Sequence, residues 1–338
     1  MSANVHGQMV YSFEKPMWHN ITAPSLVPMG AEEILDARFG GGFPIYMRPM
    51  SFEMNGERVE DGDIAIVRGD SPYEPGEYKI GVCTERYNPL QPRDICKTFD
   101  ENVKEYAETM GFLGHGEDMF ISWEMPEFDV VVGDTVKLYG CVRSGFTTMK
   151  ATRLFTTAYR PICENTINLA ENWAKGNTDG HGKGQIWKGR GVNKNLLRDL
   201  GYWMEHVQGN AVREATMLQD FFGRLAKLPI LNDEHAKGFL SAAYPDVDTS
   251  VERFPVQLRE EQEKKYLAFN GGQATMRDGI FDLFGGAGTG ITATRWGMLN
   301  ATSEYFCHVQ PSKRPIAESV MFGGRQKNIM KMVTALAV

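Results

Sequence analysis

The chain has 338 residues, of which 42% are hydrophobic and 23% are charged, and these are the proportions of a folded soluble protein. Its formal net charge of −7 argues against a protein that simply coats nucleic acid. No stretch approaches the roughly 18 apolar residues that a membrane-spanning helix needs. The N-terminus also lacks the pattern of a signal peptide. The sequence therefore predicts a cytoplasmic protein with no membrane partner.

The first half of the chain is rich in predicted strands. Short β-favouring runs are separated by turns that contain Gly, Asn and Asp. They span residues 43–50, 63–69, 78–83, 119–125, 135–143 and 147–159. A helix is predicted over 92–110, because Pro92 suits a first helical turn and apolar residues follow at helical spacing as far as Gly111. Ser144-Gly145 predicts a tight hairpin turn.

The pattern changes after residue 176. The segment 177–195 is rich in glycine and in basic residues, which predicts a mobile loop rather than a packed element. Helical periodicity then covers 194–228, 232–243, 252–269 and 292–309. The sequence therefore predicts an α+β fold with antiparallel β-hairpins and packed helices in its N-terminal half, and a mainly helical C-terminal half. We divide it into a β-rich core domain (1–176), a basic Gly-rich loop (177–195) and a helical region (196–338).

Motifs for metal or nucleotide chemistry are weak. The five cysteines never form a C-x-x-C pair, and the seven histidines never form an H-E-x-x-H pair. The glycine loop at 285–290 lacks the Lys-Ser/Thr that ends a phosphate-binding P-loop. Cys163 could form a nucleophilic pair with a distant His, and Trp18-His19 is an aromatic–imidazole pair. Small thiols and histidines are more often packed, so we predict no catalytic residue, no metal and no cofactor.

Charge is distributed unevenly along the chain. Residues 135–198 contain eleven Lys or Arg and three acidic residues, so this window carries +8 and the remainder carries −15. One interpretation is a basic surface on an acidic body. The alternative is a set of solvated lysines scattered over several faces.

The hairpin at 135–160 carries five basic residues and no acidic ones, with aromatic residues interleaved. Cations neutralise phosphates and ring faces stack bases, so this combination is typical of a surface for single-stranded nucleic acid. Alternation places Arg153, Phe155 and Tyr159 on one face and Lys150 and Arg160 on the other. Phe155 could equally be a core residue, and the lysines could only keep an edge strand soluble.

The predicted contacts for single-stranded DNA lie in the hairpin and in the loop behind it. In the hairpin, basic side chains would hold phosphates, and Arg160 would sit where a strand end meets a helix N-terminus. In the loop, further basic residues would close over the strand, with Trp187 for stacking. The predicted contact residues are Lys137, Arg143, Lys150, Arg153, Arg160, Lys183, Trp187, Lys188, Arg190 and Lys194.

Five motifs, in order along the chain, resemble the phage/plasmid-like proteins known as domain of unknown function nine-three-two. They are MWHN (17–20), IGVCTERYNPLQPRDICKTFDE (80–101), YRPICENTINLA (159–170), TATRWGMLNATSEYFCHV (292–309) and RPIAESVMFGG (314–324). One departure is the turn Arg143-Ser144-Gly145, where many members of that family carry His-Asp-Gly.

This resemblance implies a protein encoded by a phage or plasmid. The order of β-hairpins followed by a packed helix is also similar, at the level of fold, to phage single-strand annealing proteins of the RecT and recombination-mediator type. Such proteins assemble into rings or filaments with a basic groove and need no nucleotide cofactor.

The resulting hypothesis is an oligomeric protein that binds and anneals single-stranded DNA in recombination or replication. A second hypothesis is a non-enzymatic structural or host-interaction protein that self-assembles without nucleic acid, for which the 18 methionines would supply adaptable contacts. A third is an enzyme that uses Cys163, which an unaltered Cys163→Ala variant would exclude.

Overall fold

The computed structural model describes residues 5–14, 23–131, 133–148, 151–157, 185–189, 195–285, 293–309, 331–333 and 335–336. These residues form an α+β protein with antiparallel sheets in the N-terminal half and mainly helices in the C-terminal half, which confirms the predicted fold class. Contacts divide the chain into two compact units. The first is Met1–Phe128 with Val136–Thr216, and the second is Asp129–Thr135 with Met217–Val338. The predicted boundaries at 176 and 195 come from composition and stay a prediction.

A six-stranded sheet forms the core of the first unit. Its spatial order is β1-β5-β6-β7-β8-β9. The strands are β1 (Val5–Ser12), β5 (Ala107–Leu113), β6 (Asp118–Val131), β7 (Asp134–Gly145), β8 (Thr152–Thr157) and β9 (Gln185–Gly189). Every residue of β5 is buried, so both faces of this strand are covered.

A separate three-stranded antiparallel sheet lies in the same unit. It consists of β2 (Ile45–Met54), β3 (Glu57–Arg68) and β4 (Tyr78–Cys83). The turn between β2 and β3 is Asn55-Gly56, and both residues have positive φ, at 54° and 80°. A two-residue turn of this kind matches the twist of a β-hairpin, and Asn-Gly is its preferred sequence.

Two helices of the first unit are joined by a capping contact. They are α1 (Ala31–Phe39) and α2 (Pro92–Asn102). The Asp100 carboxylate accepts hydrogen bonds from the backbone N–H groups of Ala31 and Glu32, at 2.7 and 2.8 Å. These are orphan donors at the start of α1, and a carboxylate there also complements the helix dipole. One residue of α2 therefore fixes the N-terminus of α1.

Two sequence-based predictions in this unit are wrong. The helix at 92–110 ends at Asn102, because Val103 has extended backbone and residues 107–113 pair as β5 with β1 and β6. The loop at 177–195 was expected to lack packed structure. Residues 185–189 instead form β9, which pairs with β8.

Besides helical residues at 331–333 and 335–336, the described part of the C-terminal half contains four α-helices. They are α3 (Leu196–Lys227), α4 (Asp233–Ala243), α5 (Val256–Gly285) and α6 (Arg295–Glu304), and α6 is followed by a π-helical turn (Tyr305–Val309). Asn232 and Thr294 cap α4 and α6 through side-chain oxygens, as expected for these residue types. The helix predicted to end at 269 continues through Gly271-Gly272 to residue 285. None of the described helices has the length and apolar character to cross a membrane.

Candidate nucleic-acid interface

Three of the predicted contact residues lie in one row across the outer strands of the six-stranded sheet. Arg143 on β7 is directly opposite Arg153 on β8, and Arg153 is directly opposite Lys188 on β9. Residues that face each other in an antiparallel pair project to the same side of the sheet. The fold therefore collects cations from three separate stretches of sequence on one side, and we call them the basic row.

Burial changes along the basic row. Arg143 is only 8% exposed, and its guanidinium donates to Asp118 Oδ2 at 2.7 Å. Arg153 is half-buried and Lys188 is exposed. A buried cation with a carboxylate partner has its charge compensated inside the protein. Arg143 is therefore part of the core, and we do not include it in the proposed binding surface.

The outer end of the row carries an exposed positive charge on Lys188. Lys188 makes no ion pair with any residue that the structure describes, and β9 is the last strand in the described order of its sheet. An anion bound at Lys188 would compensate its charge, so this end of the row is suited to a phosphate group.

Lys137 is held by carboxylates of its own sheet. Its Nζ lies 2.6 Å from Glu124 Oε1 and 3.9 Å from Glu127 Oε2. Partial burial lowers the pKa of Lys137, but the hydrogen bond and charge of Glu124 outweigh burial, so the pKa is raised overall. This lysine is charged but already paired, and its position does not favour a role in phosphate binding.

The aromatic residues are not arranged as the sequence suggested. Tyr139, Phe146 and Phe155 are all buried in the core, so their interpretation as a stacking surface is wrong. Trp187 is opposite Leu154 and projects to the side away from Lys188. Its ring lies over Gly189, where an added Cβ would come within 2.3 Å of Trp187 Cη2. Trp187 and Lys188 are therefore not presented on one surface.

Other predicted contacts lie outside the described residues. They are Lys150, Arg160, Lys183, Arg190 and Lys194. Cys163, Trp18-His19 and the glycine loop from 286 onward lie outside them as well. Their proposed roles stay predictions.

A second polar cluster was not predicted from the sequence. Arg68 is fully buried, donates to Glu74 Oε2 at 2.8 Å and donates to the carbonyl oxygens of His115 and Gly69. His6 Nδ1 lies 3.5 Å from Glu74 Oε2, and His115 Nδ1 lies 3.2 Å from Glu74 Oε1. Glu74 lies in the loop after β3, and its carboxylate thus joins β1, the end of β3 and the turn after β5.

This cluster resembles a hydrolytic triad in its order of contacts but not in its exposure. Ser71 Oγ lies 2.9 Å from His6 Nε2, and His6 in turn faces Glu74. Ser71 and His6 are 4% and 2% exposed, so a substrate cannot reach the hydroxyl in this conformation. Burial, followed by the charge of Arg68, lowers the pKa of His6. A neutral His6 that anchors the N-terminal strand accounts for these contacts.

Sequence reasoning missed the cluster because its residues are spread from position 6 to position 115. The one local signal was an arginine at the end of the apolar run DIAIVR, where a buried cation requires a partner. In the part of the chain that the structure describes, no group of three or more His, Cys, Asp or Glu residues is placed to hold a metal ion.

Comparison with known proteins gives one match. Residues 79–181 match the family described as domain of unknown function (DUF932). The matched segment contains two of the five motifs that carry the resemblance, at 80–101 and 159–170. It also contains Arg143 and Arg153, whereas Lys188 lies beyond its end. No curated protein and no solved structure matches the chain.

In this structure, the first motif of the matched segment has a structural role. The Gln91 side chain accepts a hydrogen bond from Ile45 N at 3.0 Å and donates to Ile45 O at 2.7 Å. It therefore satisfies both backbone groups of one residue at the start of β2. Tyr87 is buried, and burial raises its pKa to about 12. These residues stabilise the base of the three-stranded sheet, and their arrangement does not suggest chemistry.

Proposed function

We propose that this protein binds single-stranded DNA at the outer end of the basic row, where Arg153 and Lys188 lie side by side. In this proposal it is a phage- or plasmid-encoded protein that anneals DNA strands as an oligomer during recombination or replication. The observation that carries the proposal is the basic row itself, because two residues far apart in sequence form one cationic position at the edge of a sheet. Binding of this kind needs no cofactor.

The charge of the sequence window that contains Arg153 and Lys188 supports a polyanionic ligand. Residues 135–198 carry a net charge of +8 on a chain whose total is −7. Attraction between such a surface and phosphates draws most of its free energy from counterion release, which is independent of base sequence. The long acidic remainder of the chain would restrict binding to this one surface.

The buried aromatics suit annealing better than base recognition. Tyr139, Phe146 and Phe155 are core residues, so they cannot stack on bases of a bound strand. A strand held mainly through its phosphates keeps its base edges available for pairing. An annealing protein requires that arrangement, since the second strand must reach the same bases.

Similarity to known proteins is a second and weaker argument for the proposed function. The match over residues 79–181 supports the resemblance to the domain-of-unknown-function family for that segment, and a phage or plasmid origin is part of the proposal. The similarity to RecT-type annealing proteins rests on the order of hairpins and helices, and is therefore an analogy of fold.

A single charge reversal tests the proposal. We expect Lys188→Glu to weaken binding of a labelled single-stranded oligonucleotide at low salt by about tenfold, or ~1.4 kcal/mol. The slope of log affinity against log salt concentration should also fall by about 0.7 for each lost phosphate contact. Fluorescence anisotropy measures both quantities.

Lys79→Glu is the matched control. Lys79 is an exposed lysine on β4, in the other sheet, so its reversal changes the net charge by the same amount. The proposal is wrong if the wild-type chain fails to bind the oligonucleotide at low salt. It is also wrong if Lys188→Glu and Lys79→Glu weaken binding equally.

The second candidate function is self-assembly without nucleic acid. It is favoured by a specific observation, because the β2–β3 hairpin exposes Phe52 and Met54 at 46% and 55%. Light scattering with and without nuclease treatment separates the two functions. Assembly that is insensitive to nuclease, in a chain that binds no oligonucleotide, would favour the structural role.

A further inference from the structure

The distal part of the β2–β3 hairpin extends beyond the rest of its sheet. β4 pairs with β3 only from Ile64 to Arg68, so residues 51–54 and 57–60 pair with each other alone. All residues from 51 to 63 are exposed except Val59, which is intermediate. We call residues 51–63 the arm. A two-stranded hairpin without a packed face is only marginally stable in water, so this arm is suited to contact with another molecule.

The base of the arm is firmly anchored. Residues 65–68 of β3 are buried, and β4 pairs along them. Register between β2 and β3 shifts between Pro49 and Ser51, where Gly62 on the opposite strand has a φ of 76°. A local irregularity of this type bends a ribbon and re-aims its tip. The arm therefore projects from a rigid base in a defined direction.

The two faces of the arm differ. Phe52 is opposite Val59 and Met54 is opposite Glu57, so these four side chains share one face. The other face carries Ser51, Glu53, Arg58 and Glu60, with a hydrogen bond of 2.8 Å from Arg58 Nε to Ser51 Oγ. The first face is thus apolar and solvent-exposed, and the second is polar.

The charge of the arm restricts which molecule can cover it. Residues 51–63 contain five carboxylates and one arginine, a net charge of −4. Nucleic acid and a second arm are both negatively charged and would be repelled. A positively charged protein surface would be attracted, and β9 of this same chain presents exposed Lys188, which makes no ion pair with the described residues.

We propose that the arm of one molecule binds a second copy of this chain, at the surface that presents Arg153 and Lys188. Carboxylates of the arm pair with exposed Lys188, and Phe52 and Met54 lose their exposure to water. Two different surfaces meet in this contact, so it is heterologous and can propagate from copy to copy into a ring or filament. The inference goes beyond the proposed function, because it requires no nucleic acid and makes the arm compete with single-stranded DNA for the same basic surface.

Two variants of the arm and one of the basic surface test this contact by sedimentation analysis at low salt. Phe52→Ser/Met54→Ser removes two apolar side chains, and Glu53→Gln/Glu57→Gln/Glu60→Gln changes the net charge of the arm from −4 to −1. Both are exposed sites, so folding should be preserved, and circular dichroism confirms it. We expect the wild-type chain to self-associate without DNA, and each arm variant and Lys188→Glu to be monomeric.

The control is Leu267→Ser/Phe269→Ser on α5, which removes two apolar side chains that are 56% and 47% exposed. It should associate like the wild-type chain. The inference is overturned if the wild-type chain is monomeric, if either arm variant still associates, or if Lys188→Glu still associates.

Mixing two defective variants gives the most specific test. The Phe52→Ser/Met54→Ser variant keeps an intact basic surface, and Lys188→Glu keeps an intact arm. Their mixture should form a 1:1 complex and nothing larger, because only one working contact can form between them. Absence of that complex would exclude a heterologous arm contact.

The result is separable from the test of DNA binding. The monomeric arm variant retains Arg153 and Lys188, so it should still bind the oligonucleotide if the proposed function is right. A 1:1 complex in the mixture together with no DNA binding would leave the arm contact standing and reject the proposed function. DNA binding without any self-association would reject the arm contact and leave the proposed DNA-binding site standing.

Discussion

The two sheets of the first unit differ in how far their side chains are buried. In the six-stranded sheet, β5 is buried at every position, and Asp118 and Arg143 are paired within the protein. In the three-stranded sheet, the arm is exposed on both faces, and its apolar side chains have no cover within the described chain. The six-stranded sheet forms a core, and the three-stranded sheet presents an exposed surface.

The same contrast separates the cations that serve stability from those available for binding. Arg68 and Arg143 are buried, and each donates to a carboxylate at 2.7–2.8 Å. Lys188 is exposed and makes no ion pair with the described residues. A basic residue is therefore a better candidate for ligand binding when the fold leaves its charge uncompensated, and charge counting alone does not reveal this.

Breaking a buried ion pair of the core should have the largest effect. We expect Asp118→Ala to lower the free energy of unfolding by about 3–5 kcal/mol, because Arg143 would keep a buried charge without its partner. Urea unfolding measures the change. Glu124→Ala, which breaks the more exposed pair with Lys137 in the same sheet, should cost less than about 1 kcal/mol.

A double replacement separates charge from packing at this site. Asp118→Leu/Arg143→Met removes both charges and should recover most of the lost stability. If Asp118→Ala costs no more than Glu124→Ala, the pair does not stabilise the core in the way that its burial indicates.

Most strands of the N-terminal half were predictable, whether or not one of their faces is exposed, but β5 was not. β3 and β4 followed from their apolar runs and turn residues, and β7 overlaps the run predicted at 135–143. The tight turn predicted at Ser144-Gly145 is wrong, because both residues belong to β7 and the turn begins at residue 146. β5 reads AETMGFL and has both faces buried, so it has no alternation that would distinguish it from a continued helix. Helical spacing at Val103 and Tyr106 therefore misled the prediction past Asn102.

The basic row could be predicted only in part. Composition identified Arg143, Arg153 and Lys188 as candidates, because all three fall in the basic window. Their mutual placement depends on β9 pairing with β8 across an intervening segment of 27 residues, 158–184. Glycines around β9 predicted a loop, but a strand that gains backbone hydrogen bonds from a long-range partner can override local propensity.

The polar cluster of His6, Arg68 and Glu74 should make the free energy of unfolding depend on pH, with an effect of intermediate size. The pKa of His6 is lowered in the folded chain by burial and by Arg68, although Glu74 opposes this. Below the ordinary value of 6.5, the unfolded chain therefore binds a proton that the folded chain does not yet bind. Stability should fall as the pH falls below 6.5, until folded His6 is protonated as well.

His6→Gln removes this titration and keeps a polar side chain opposite Ser71 and Glu74. The slope of unfolding free energy against pH should then be smaller between about pH 5 and 6.5, by no more than about 1.4 kcal/mol per pH unit for one group. His206→Gln, at an exposed position on α3, is the matched control substitution. Equal slopes in the wild-type chain and His6→Gln would show that another group causes any acid sensitivity.

The smallest change in the free energy of unfolding should come from substitutions in the arm. Phe52 and Met54 contact solvent, so Phe52→Ser/Met54→Ser should change the unfolding free energy of the monomer by less than about 0.5 kcal/mol. Phe112→Ala in β5, at a fully buried position, should cost about 3–5 kcal/mol in the same urea assay. If the arm variant instead lost more than about 1 kcal/mol as a monomer, the arm would pack against its own chain. The double substitution could leave the unfolding free energy of the monomer nearly unchanged and also abolish self-association. That result would show that these apolar side chains stabilise contact between molecules rather than the fold of one.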